Sequence, residues 1–111
     1  MIVATRMLKL RRREGDAQVT INIYAPEKDP TLGWGCQFDI GWPDEPFSLI
    51  ARGIDAVQAL EISLRLIGMQ LYASEYHEKG ELEFDKPGSG YGFPVPTNLR
   101  DVLIGDDAKF F

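Results

Sequence analysis

Few side chains in this sequence are placed to do chemistry. His77 stands among Glu75, Glu78 and Glu81, the start of a carboxylate–histidine metal site. A metal wants three or four converging ligands, and on a helix only positions three or four apart share a face. Glu81 falls past the expected helix end, so His77 reads instead as a side chain suited to a helix C-terminus. Cys36, between Trp34 and Phe38 on the apolar side of a strand, lacks the base and the electropositive setting that activate a thiol. It reads as a small core residue. Asp39, Asp44 and Glu45 are the nearest approach to a general acid pair, but nothing in their spacing singles out two of them. The glycine-rich stretch KPGSGYGFP, residues 86–94, has the composition of a phosphate cradle. Such a cradle sits at a helix N-terminus, whereas here Pro94 and Pro96 follow and no lysine stands at P-loop spacing. The stretch reads as a flexible hinge. The expectation is therefore a protein with no catalytic residue, no cofactor and no metal, and not an enzyme.

The elements that must position these groups fit a single domain spanning residues 1–111, since domains commonly run to ~100–150 residues. With 44% hydrophobic and 26% charged residues the composition is that of an ordinary globular chain. No apolar run approaches the ~20 residues of a membrane span, and the basic residues of MIVATRMLKLRRR follow the apolar ones, the reverse of a secretory signal. One cysteine permits no internal disulfide, which favours the reducing cytoplasm. A net charge of −5 argues against nucleic acid, whose binding depends on neutralising phosphates. The basic cluster Arg6, Lys9, Arg11, Arg12 and Arg13 reads as a charged strand edge that discourages aggregation.

Four strands fall within residues 2–54. Ile2, Ala4, Leu8 and Leu10 share one face of the first, interrupted by Arg6, which suggests an edge position. Val19, Ile21 and Ile23 alternate with polar residues on the second, and Trp34, Cys36, Phe38, Ile40 and Trp42 do so on the third. Phe47, Leu49 and Ala51 alternate on the fourth. PEKDPTLG (26–33), with two prolines and a glycine, reads as loop. Strands joined by short polar turns form an antiparallel meander, one face covered and one wet. The cover is a single long helix over about residues 56–78, N-capped by Asp55 with Gln58 three residues on and closed by Gly80 at C′. The fold class is thus α+β: a two-layer, four-stranded antiparallel meander packed on one long helix, with an irregular, extended C-terminal arm over 81–111.

The helix has apolar side chains on two nearly opposite sides. Val57, Leu60, Leu64, Ile67 and Leu71, the bulkier stripe, are expected on the sheet. Ala59, Ile62, Leu66, Met69, Ala73 and Tyr76 then need another cover, from the arm or a second chain. A homodimer is expected, with Ile62, Leu66, Met69 and Tyr76 at the contact. Its symmetry would be the usual two-fold.

WGCQF on a strand, GIDAVQAL opening a long helix and GFPVP in the tail together resemble small bacterial proteins catalogued only as a domain of unknown function. The likeness runs over residues 34–96 and rests on Trp34, Cys36, Gly53, Asp55, Gln58, Ala59, Leu60, Gly92, Phe93 and Pro94. It implies the same order of strand, helix and tail, and supplies no activity, cofactor or catalytic residue. Two functions stay open. One is a non-catalytic interaction module, a regulator or an immunity-type binder whose acidic charge suits a basic protein partner. The other is a small-ligand binder or minor enzyme with a pocket between sheet and arm, lined by Trp42, Tyr91 and Phe93.

Overall fold

In a computed structural model describing residues 1–111, alternation of apolar and polar side chains builds one antiparallel sheet. Its strands are β1 (Ile2–Leu10), β2 (Ala17–Tyr24), β3 (Glu27–Asp29), β4 (Gly33–Ile40), β5 (Phe47–Gly53) and β6 (Leu82–Glu83). Every pairing is antiparallel: β1 with β2, β2 with β4, and β4 with β5. The meander expected from residues 2–54 is present, but the sheet has six strands where four were expected. Residues 27–29, read as loop, pair with Gly33–Gly35. The two prolines flank this segment instead of interrupting it, and Asp29 closes the turn by accepting hydrogen bonds from the Thr31 and Leu32 amides at 2.9 and 3.0 Å. The sixth strand comes from the arm, where Leu82 and Glu83 pair with Leu10 and Lys9. A two-residue strand has no periodicity to read.

The covered face carries Leu8, Leu10, Val19, Ile21, Ile23, Cys36, Phe38, Ile40 and Ala51, all buried. Over it lies α1 (Ala56–Ala73), started as expected: Asp55 Oδ1 accepts from the Gln58 amide at 2.8 Å, and Gln58 Oε1 accepts from the Ile54 amide at 2.7 Å. The single helix to residue 78 is a correction. The chain turns extended at Ser74 and restarts as α2 (Glu75–Glu78). Ser74 Oγ donates to the Leu71 carbonyl at 2.7 Å and accepts from the His77 amide at 3.2 Å. It thereby ends one helix and caps the next, the competition with the backbone that serine is prone to. Gly80 closes α2 at φ 70°, with the Glu81 amide bonded to Tyr76 O and the Gly80 amide to His77 O.

The line of α1 on the sheet is Ala59, Ser63, Ile67 and Leu71, each fully buried, while Val57 is 73% exposed. The bulky stripe is therefore seated through Ile67 and Leu71, with Leu60 and Leu64 half-buried against the core, but not at Val57, and small Ala59 of the opposite stripe shares the contact. Small Ala59 and Ser63 bring the helix close to the sheet, so close that a Cβ on Gly53 would lie 2.5 Å from the Ala59 nitrogen. The second side of the helix is taken by the arm. At Gly68 a Cβ would stand 1.8 Å from the Pro94 carbonyl oxygen, and Arg65 Nη1 donates to Val95 O at 2.9 Å. Beyond Pro96 the arm is not irregular. A 3-10 helix, Thr97–Val102, and α3 (Gly105–Phe110) return the chain to α1.

Candidate functional site

The densest polar cluster lies where the arm folds back. Asp107 of α3 is 2% exposed. Its carboxylate accepts from Tyr72 OH at 2.6 Å, the Tyr91 amide at 2.7 Å and the Gly92 amide at 2.8 Å. The glycine-rich stretch thus does cradle an anion with its backbone amides, but the anion belongs to the same chain. The hinge expectation is corrected to a pinned turn, with Ser89 Oγ also donating to Phe84 O at 2.9 Å. Tyr91 OH sits 2.5 Å from His77 Nδ1. Burial, with help from the Asp107 charge, pushes the Tyr91 hydroxyl up to about 12, so it stays protonated beside the imidazole. Burial holds His77 below its usual value. Burial and then the bond to Asp107 raise Tyr72 as well. The result is a clasp joining α1, α2, the arm and α3. It includes an acid, a base and two phenols, but its carboxylate is enclosed and its donors are spent on one another. No cluster of three or more His, Cys, Asp or Glu could hold a metal.

The pocket candidates Trp42, Tyr91 and Phe93 do not line one space. Tyr91 and Phe93 are buried. Trp42 stacks on Tyr76 with ring centroids 5.1 Å apart, and Tyr76 OH donates to Asp44, a bond that pushes the phenol up to about 12. Tyr76, expected at a dimer contact, is therefore spent inside its own chain. Ile62, Leu66 and Met69 stand half-buried on α1. Phe93 alone reaches a hollow, a groove of about 340 Å³ whose walls include Ala4, Ile23, Leu64, Phe93 and Phe111, with Arg6 beside them.

The outer face of the sheet holds a second polar group. Asp39 accepts from Tyr24 OH at 2.5 Å, Ser48 Oγ at 2.7 Å and Gln37 Nε2 at 3.2 Å. Partial burial would raise this carboxyl, but the three donors outweigh it and leave the group below the usual range. Asp39 and Asp44 are each held by a different tyrosine, not by one another. A hollow of about 400 Å³ opens nearby against Tyr24, Lys28, Gln37 and Arg52. Cys36 is buried, its Sγ donating to Tyr24 O at 3.3 Å. Burial pushes the thiol up; the neighbouring Ser63 hydroxyl opposes that only in part and has no other partner.

Sequence reasoning missed Arg6, Tyr72 and Asp107. Arg6 left a signal, a cation on an otherwise apolar face, and the structure gives its reason. Its Nη1 donates to Tyr91 O at 3.2 Å and Gly92 O at 2.8 Å, and its guanidinium lies 4.6 Å over Phe84 and 4.8 Å over Phe93. Asp107 left none, being one acid among several in the tail.

No helix is long and apolar enough to cross a membrane. No curated protein matches the chain. No solved structure matches it either. One family model does, over residues 4–95. That span takes in β1 from Ala4 onward, β2 to β6, α1, α2 and the arm as far as Val95, and on it the chain belongs to the family described as a domain of unknown function, DUF6968.

Proposed function

We propose that the protein is a non-catalytic interaction module, a regulator or immunity-type binder, that pairs with a second copy of itself along β5. One observation carries this reading. β5 bonds to β4 on one side and to no strand on the other over its seven residues. Leu49 and Ile50 on it are 38% and 47% exposed, and Ile54 and Val57 just beyond are 83% and 73% exposed. An edge with free amides and carbonyls and exposed apolar side chains is a template for another strand, and proteins that do not use such edges blunt them with charge, proline or bulges. Here the only charge within β5 is Arg52. The net charge of −5 suits a basic protein partner for the dimer. The half-buried Ile62, Leu66 and Met69 offer a second, weaker contact without Tyr76.

Light-scattering mass across a concentration series tests this. Wild type should approach twice 12.5 kDa at high micromolar concentration. The double variant Leu49→Lys, Ile54→Glu should stay at the monomer mass with an unchanged circular dichroism spectrum. A wild-type mass fixed at the monomer value overturns the reading.

A further inference from the structure

We propose that the groove between β1, α1 and the arm binds a small amphipathic monocarboxylate. The groove exists because α1 covers only part of the sheet. Ala4 is exposed although it shares a face with buried Leu8 and Leu10, and the arm, with Phe111, walls the remaining space against Leu64 and Ile23. Arg6 is the only ionised side chain in its lining, and no Asp or Glu carboxylate lies within salt-bridge distance of it.

Arg6 is more than a clasp for the arm. A guanidinium has five N–H donors in a planar fork. Both hydrogen bonds that Arg6 makes come from Nη1. Nε and Nη2 are unspent, and neither is among the buried polar atoms without a partner, so neither is fully enclosed. Nε and Nη2 lie on one edge of the guanidinium and match the two oxygens of a carboxylate. The Phe84 and Phe93 rings hold the plane in place, which lowers the ordering cost of binding. A cation with an open fork beside apolar walls calls for a ligand with one anionic end and an apolar remainder. Against the ~30 Å³ share of a water-sized group, 340 Å³ admits roughly ten heavy atoms, the size of octanoate. The groove lies on the covered side of β1, away from the outer edge of β5, so the inference stands independently of the dimer.

Octanoate, octan-1-ol and octylamine, titrated by calorimetry against wild type and Ala4→Trp, test it. Octanoate should bind wild type saturably and at least ~10-fold more tightly than octan-1-ol, since charge-assisted hydrogen bonds exceed neutral ones. Octylamine should not saturate, and Ala4→Trp, which fills the groove from an exposed position, should abolish octanoate binding while leaving the thermal midpoint near that of wild type. The Arg6→Met variant should bind octanoate and octan-1-ol alike. If it fails to fold, the Ala4→Trp result decides. Equal affinity for octanoate and octan-1-ol in wild type, undiminished binding to Ala4→Trp, or no saturable binding to wild type at millimolar octanoate would each overturn the proposal.

Discussion

Asp107 shows how one side chain can fix a tail. A buried carboxylate without a cation is costly unless hydrogen bonds replace its hydration, and here a phenol and two amides do so. Asp107→Asn keeps the shape but turns an acceptor into a donor facing other donors. We expect a loss of about 1–3 kcal/mol, the penalty for a buried polar group left unsatisfied, read as a lower denaturant midpoint at unchanged slope. His77 adds a pH dependence. Its folded value is lowered by burial from an ordinary 6.5, so the unfolded chain takes up the proton more readily. Its contribution is therefore complete above 6.5 and lost as pH falls through the lowered folded value, because burial penalises the charged imidazolium. His77→Gln should flatten the acid limb of the stability–pH curve between 6.5 and the folded value. An unchanged limb would place the titration elsewhere. None of this was legible in the sequence: Tyr72 and Asp107 are 35 positions apart, and no local pattern announces such a pair.

At the scale of elements, legibility followed local order. The alternation of Val19, Ile21 and Ile23 and of Cys36, Phe38 and Ile40 is strictly two-fold, and both strands formed as read. Asp55 with Gln58 marked the helix start because capping is set by residues three apart. Ser74 carried an equally local signal, a capping residue three before His77, but the apolar periodicity running through Ala73 and Tyr76 masked it. The choice of helix face held at Ile67 and Leu71 and failed at Val57 and Ala59. Bulk was taken as the guide to burial, whereas the close approach at Gly53 selects the small residues Ala59 and Ser63. Gly68 applies the same logic to the arm. In a free helix Gly→Ala is favourable by about 1 kcal/mol. Here the added methyl would stand 1.8 Å from the Pro94 carbonyl oxygen, so either the arm moves or the helix does. Gly68→Ala should reverse the propensity gain and destabilise by about 1–3 kcal/mol, the usual cost of overpacking. A rise in the thermal midpoint would mean that the arm is not seated on α1.

Across the whole molecule, two layers make a thin body. Its extents are 47 × 28 × 19 Å and its radius of gyration is 14.3 Å, against roughly 13 Å for a compact chain of this length. A slab leaves the outer sheet face, both sheet edges and one side of α1 uncovered, and each is a place for a second copy. These places differ in the shape of dimer they build. Pairing along β5 continues the sheet through the two-fold axis and lengthens the particle at constant thickness. Pairing through Ile62, Leu66 and Met69 stacks helix on helix at the ~8–10 Å axial separation of packed helices and gives a four-layered, thicker body. β5 has both unpaired backbone groups and exposed side chains to satisfy, whereas the helix strip is already half-buried and its end, Tyr76, is bound to Trp42 and Asp44. The edge therefore gains more on pairing. Small-angle scattering on the dimer should give a maximum dimension well beyond the 47 Å of one chain, with the cross-section of a single two-layer slab. A doubled cross-section with little gain in length would assign the contact to the helix strip, and the β5 interface would be wrong.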